Sequence, residues 1–120
     1  MKNINIDSYH YESDIISLHG KVLSMKRENK SVRLSNNQMK LFICLTGKIN
    51  EKKKIIDIIW GDEGKNKETE KKFNKLIYRT RLTLSKAGFP SDMFLTIPHF
   101  GVCLNQSCLT MSPPKFGYII

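Results

Sequence analysis

The apolar pattern of this chain changes period at Ser35, and that change fixes the class of fold open to it. Before Ser35 the apolar residues come in short clusters: Ile15, Ile16 and Leu18, then Val22, Leu23 and Met25, then Val32 and Leu34. Turn formers separate them, His19-Gly20 and Arg27-Glu28-Asn29-Lys30, so the first third predicts a small antiparallel sheet. Ser35-Asn36-Asn37-Gln38 then reads as a capping box: the serine hydroxyl can accept from the amide three residues on, while Gln38 reaches back to the cap. Met39, Phe42, Ile43 and Thr46, with Leu45 alongside, follow at helical spacing, and Gly47 is the expected stop.

Two further helices are expected. One starts near Asn50 or Glu51, buries Ile55, Ile56, Ile59 and Trp60, and ends at Gly61. The other runs from about Glu68 to Ala87 and is closed by Gly88 and Pro90. Its core stripe is Phe73, Ile77, Thr80 and Leu84. The opposite arc holds Lys71, Lys75, Tyr78 and Leu82, with Lys72, Arg79 and Lys86 on one flank. Leu82 interrupts the polarity of that arc, and the sequence assigns it no role. Phe94-Leu95-Thr96-Ile97 and Val102-Cys103-Leu104 are strand candidates joined tightly through Pro98-His99-Phe100-Gly101. The expectation is therefore one α+β domain over 15–105, preceded by a segment 1–14 and followed by a turn-rich tail 106–120.

Charge narrows the partner. Twenty Lys and Arg against eleven Asp and Glu give a formal +9 in 120 residues. Residues 65 to 86 hold eight basic side chains and two acidic ones, a surplus of six within that nine. Such an excess fits a polyanion, either nucleic acid or an anionic membrane surface, and charge alone does not separate the two. Its concentration on one helix favours a phosphate-binding surface.

Other classes find little support. Cys44, Cys103 and Cys108 are odd in number and lack metal-ligand spacing; Cys44 lies in an apolar helical run. His10 and His19 have no partner at catalytic or metal spacing. No Ser/His/Asp or Cys/His constellation, glycine-rich phosphate loop or apolar carboxylate pair is legible. No enzyme, cofactor, metal or small-molecule substrate is expected. Phe73, Tyr78, Phe89 and Phe94 do not form a stacking platform of the kind that binds single-stranded RNA. Met1 to Asp7 is polar, with no apolar core of a signal peptide, and no apolar run reaches membrane-spanning length. Reduced thiols in a cytoplasmic protein are expected, membrane-tethered only if the protein continues past Ile120.

The order of sheet, three helices and hairpin, with four local motifs, resembles the OmpR/PhoB-type winged-helix family of bacterial DNA-binding domains. The ToxR/CadC branch, which has no receiver domain in front, is the most similar. Val32-Arg33-Leu34-Ser35 through Leu45 looks like the family's entry into its first helix. Ile55-Ile56-Asp57-Ile58-Ile59-Trp60-Gly61 looks like the close of its second, and Ile77-Tyr78-Arg79-Thr80-Arg81-Leu82-Thr83-Leu84 like its recognition helix. Thr96-Ile97-Pro98-His99-Phe100-Gly101-Val102-Cys103-Leu104 resembles the wing hairpin. There are departures: Thr80 stands where the family usually has Leu, Val102 at an aromatic position, and His99-Phe100 in place of Gly and Arg.

The resemblance implies a winged helix-turn-helix that regulates transcription by placing its third helix in the major groove of promoter DNA. Lys67, Lys71, Lys72, Lys75, Tyr78 and Arg79 are then the groove and phosphate candidates, with Arg79 the base reader because its planar fork matches guanine's two acceptors. Arg81 either binds phosphate or ties the helix to the loop before it. His99, at the wing tip, is a phosphate donor or an ordinary turn residue. The 61–67 loop, with Asp62 and Glu63, is where relatives touch RNA polymerase, and a homodimer on DNA is compatible with the family. The alternative is a non-catalytic adaptor that keeps this fold to bind another regulator or RNA polymerase.

Overall fold

The computed structural model describes residues 5–61 and 67–105. Four short strands come first: β1 (His10–Glu12), β2 (Ile16–His19), β3 (Val22–Met25) and β4 (Lys30–Arg33). They form an antiparallel sheet in sequence order. Its register pairs Ile16 with Met25 and Leu18 with Leu23, so alternation puts all four on one buried face. Two residues, Gly20 and Lys21, join β2 to β3, and both have positive φ, as the tightest hairpin turns require. β1 comes from the segment ahead of Ile15, where the apolar pattern gave no strand. It pairs His10 with His19 and Glu12 with Ser17. Beside it, the Tyr9 hydroxyl lies 2.6 Å from Thr46 Oγ1, which fastens this segment to the first helix.

Helix α1 (Asn36–Thr46) opens with the capping box in place. The Gln38 amide N–H donates to Ser35 Oγ at 3.2 Å, and the Ser35 amide donates to Gln38 Oε1 at 2.9 Å. Its buried set is wider than one face, since Leu41 and Cys44 join Met39, Phe42 and Leu45, while Ile43 and Thr46 are only half-buried. The cause is position: α1 is packed against both other helices and the C-terminal hairpin at once. Gly47 ends the helix, but the left-handed residue is Lys48, at φ +64°.

Helix α2 (Lys52–Trp60) buries Ile55, Ile56 and Ile59 and leaves Trp60 half-buried. Helix α3 (Lys67–Lys86) spans 20 residues, about 30 Å. Its buried stripe is Thr69, Phe73, Leu76, Thr80 and Leu84. The sequence reading named Ile77 and omitted Leu76. At 100° per residue Ile77 lies about 60° from the centre of the stripe, at its edge, and it is half-buried accordingly. Thr80 is fully enclosed, and its hydroxyl donates to the Leu76 carbonyl at 2.7 Å.

Strands β5 (Phe94–Ile97) and β6 (Gly101–Leu104) close the chain as an antiparallel hairpin. Phe94, Val102 and Leu104 turn inward, and the Phe94 ring sits 5.4 Å from that of Phe42. The hairpin also pairs with the link between α1 and α2, through a bridge from Glu51 to Gly101. The Lys52 amide donates to Phe100 O at 2.8 Å, and the Val102 amide donates to Asn50 O at 3.1 Å. A Cβ at position 101 would overlap the Asn50 carbonyl oxygen and lie 2.8 Å from Lys52 N, so only glycine fits. The architecture is α+β: four-stranded sheet, three helices, terminal hairpin. No helix among the described residues is long and apolar enough to cross a membrane.

Candidate nucleic-acid interface

The site is built on α3, because the helix spends one side on the core and leaves the other to cations. Phe73, Leu76 and Leu84 hold it against the body, and burial of each contributes about 1.5–3 kcal/mol. Its first turn carries Glu68 and Glu70 and its last turn Lys86, each matching the sign of the helix dipole there. Glu70 is paired with Lys52 of α2 at 3.0 Å. Lys67, Lys71, Lys72, Lys75, Tyr78 and Arg79 are exposed. Among the described residues, no ion pair involves any of these five cations.

Two groupings result. Lys71, Lys75, Tyr78 and Leu82 share an outward arc about 60° wide. Lys72, Lys75 and Arg79 line an open cleft of about 290 Å³, where Asn37 and Ser35 come from the amino end of α1 and Trp60 from α2. The cleft gathers positive charge beside a helix start, where backbone amides also favour an anion. Trp60 is therefore partly a wall of this surface, where the sequence placed it in the core.

No protein-family model, curated protein or solved structure matches this chain.

The two remaining candidates stand apart from these groupings. Arg81 is half-buried on the other flank of α3. Its Nη1–H donates to Phe94 O at 3.2 Å, its Nη2–H donates to Thr96 Oγ1 at 2.9 Å, and its Cζ lies 5.8 Å from the centre of the Phe94 ring. It ties α3 to β5, which follows the helix; the loop before the helix, its other expected partner, lies outside the described residues at 62–66. His99 is exposed at the hairpin turn with φ +62°. Its hairpin is held to α3 by Arg81 and to the α1–α2 link by Gly101, so its place relative to α3 is fixed by two anchors. Asp62 and Glu63, the candidates for RNA polymerase contact, lie outside the described residues, as do Cys108 and the tail 106–120.

Sequence reasoning named Gln38 in the cap and Arg81 as a tie of the helix, but not the partners, Thr83 and β5, through which they position the surface. The buried Gln38 amide serves twice: its Oε1 closes the cap and its Nε2 donates to Thr83 Oγ1 at 3.2 Å, locking α1 to α3 beside the cleft. The signal for Arg81 was its place next to Thr80 at the border of the buried stripe, where a long cation bends over an apolar edge to reach carbonyls. Elsewhere, burial pushes the Cys44 thiol up to about 11. Hydrogen bonds from Lys26 and then His10 hold the exposed Glu12 carboxyl below its usual range.

Proposed function

We propose that this chain is a winged-helix, sequence-specific DNA-binding domain of a transcription regulator, non-catalytic, with α3 as its major-groove helix. One observation carries the reading: α3 buries Phe73, Leu76, Thr80 and Leu84 while Lys67, Lys71, Lys72, Lys75 and Arg79 stand exposed, with no ion pair to them among the described residues. An α-helix fits the major groove, and cations on its flanks meet phosphates on either side. Lys67, Lys71, Lys72 and Lys75 serve the backbone. Arg79 reads base edges, since its two parallel N–H donors match guanine O6 and N7. With Arg81 bound to β5 and Phe100 exposed beside His99, the hairpin adds little positive charge, and α3 supplies most of the affinity.

The test is a binding site selected from a random duplex library, followed by titration across salt. Four phosphate-bound lysines give a slope of about −3.6 in log affinity against log salt, or roughly 150-fold weaker binding on going from about 50 to about 200 mM. Lys75→Ala should lower the slope by about one, and Arg79→Ala should relax preference at one guanine at a cost of roughly 1–3 kcal/mol. Unchanged affinity in the double variant, with the fold intact, would reject α3 as the reading helix. Retention of a protein partner at high salt with no duplex selected would instead favour an adaptor.

A further inference from the structure

The outward arc of α3 is not uniformly basic. Tyr78 is 63% exposed and Leu82 is 40% exposed, two of the four large hydrophobic side chains left in solvent among the described residues. Both sit in line with Lys71 and Lys75, at spacings of four, three and four residues, on the face turned away from the core. Neither contributes to the buried cluster. From Lys71 to Leu82 the line measures about 16 Å, the length of roughly five base-pair steps at 3.4 Å each.

On a face that meets DNA, an apolar side chain has a specific complement. The floor of the major groove offers donors and acceptors at every base pair, and its one apolar group is the 5-methyl of thymine. An aliphatic or aromatic side chain over guanine or cytosine would cover polar edges without satisfying them, which is unfavourable. Over a thymine methyl it removes two apolar surfaces from water together. Cations lead and flank the line, through Lys71, Lys75, Lys72 and Arg79, so a polyanion suits this arc better than the apolar surface of a protein.

We infer that Tyr78 and Leu82 are specificity-determining residues that read thymine methyl groups, so the duplex this helix selects carries thymines beside the guanine met by Arg79. The inference rests on the proposed placement of α3 in the major groove, and it names the sequence class that placement selects. It also gives Leu82 a role in an otherwise polar arc.

The experiment uses the full chain and the duplex selected from a random library. That duplex is rebuilt with deoxyuridine for thymine, first everywhere and then one position at a time. The exchange removes the methyl and keeps the base pair. Each contacted methyl should cost wild-type protein about four-fold in affinity, from roughly 0.8 kcal/mol per buried carbon. Leu82→Ala and Tyr78→Ala should bind the thymine duplex more weakly and each lose the penalty at its own position. Leu82→Met should keep it, and Arg79→Ala should leave it unchanged. Thermal melts of the variants check the fold, which these exposed positions do not support. Equal binding of the thymine and deoxyuridine duplexes by wild type overturns the inference while leaving DNA binding in place. A penalty that persists in both alanine variants overturns it equally. If no duplex is selected at all, the proposed function falls and takes this inference with it.

Discussion

Replacing Gly101 with alanine tests how much the close backbone approach at the Asn50–Lys52 link adds to the side-chain packing that holds the terminal hairpin to the body. The added methyl would overlap the Asn50 carbonyl, so the Asn50–Lys52 link and β6 must part. Three hydrogen bonds cross that junction: Lys52 N–H to Phe100 O at 2.8 Å, Val102 N–H to Asn50 O at 3.1 Å, and Asn50 Nδ2–H to Val102 O at 3.1 Å. At about 1 kcal/mol each their loss costs roughly 3 kcal/mol. Alanine also restricts the unfolded chain, returning about 0.4–1 kcal/mol, because φ at 101 is not in the left-handed region. The net loss is about 2 kcal/mol, a Tm fall of roughly 8–16 °C for a domain near this size. Circular dichroism melts and urea midpoints measure it. Gly47→Ala is the control: its methyl would lie 3.3 Å from Ile43 O, and a shift of tenths of an ångström accommodates it within about 1 kcal/mol. If Gly101→Ala melts within about 2 °C of wild type, the junction slides without loss and the reasoning fails.

Arg81→Ala should lower stability by about 1–2 kcal/mol, because two charge-assisted hydrogen bonds to β5 disappear from a half-buried site. Urea midpoints give the loss, and the salt slope for duplex binding should not move; Lys75→Ala should do the reverse. Of the two described cysteines, Cys103 should be alkylated in the native protein at about pH 8 and Cys44 spared, as peptide mapping after labelling would show. Since burial raises the Cys44 thiol to about 11, the folded state keeps a proton that the unfolded state sheds from about pH 8.5. Stability should therefore fall as pH rises through that interval, and a Cys44→Ala variant should lose that part of the pH dependence. Thr80→Val should hold or slightly raise Tm, because the hydroxyl it deletes bonds only a helix carbonyl that already has its backbone partner. A marked drop would mean the hydroxyl does more.

What could be read from the sequence was local. The capping box at Ser35 needs only four consecutive residues, and it is present with both hydrogen bonds. The hairpin turn was legible because Pro98 to Gly101 separates two apolar runs, and Phe94 and Val102 indeed face inward. The exposed arc of α3 followed from period alone, as Lys71, Lys75 and Tyr78 show. The rest depended on distant partners. β1 is three residues long with Tyr11 its single apolar member, so it has no alternation to detect and exists because β2 offers a free edge. The link at Asn50 to Lys52 is polar in every side chain, and it pairs with β6 through backbone atoms that no pattern reports. Trp60 looked like core because it ends an apolar helix; half-buried, it packs against the core and also borders the cleft where Gln38 joins α1 to α3.

The contrast between Arg79 and Arg81 carries the argument about α3 furthest. Residues two apart on an α-helix are separated by about 160° around its axis. One arginine therefore lines the cleft beside α1 while the other reaches β5 on the opposite flank. The inner flank is satisfied: Arg81 has a carbonyl, a hydroxyl and a ring. On the outer one, the cations make no ion pair among the described residues. Lys67 and Lys71, Lys71 and Lys75, and Lys75 and Arg79 are like-charged neighbours at four-residue spacing, each pair costing about 0.2–0.5 kcal/mol. Fold stability gains nothing from that repulsion, and single acidic replacements on the same exposed face would have removed it. A polyanion relieves it on contact, so an arrangement unfavourable in the free domain becomes favourable in a complex. This is the physical ground for looking to a nucleic acid, and not to the fold, for the reason α3 is so basic.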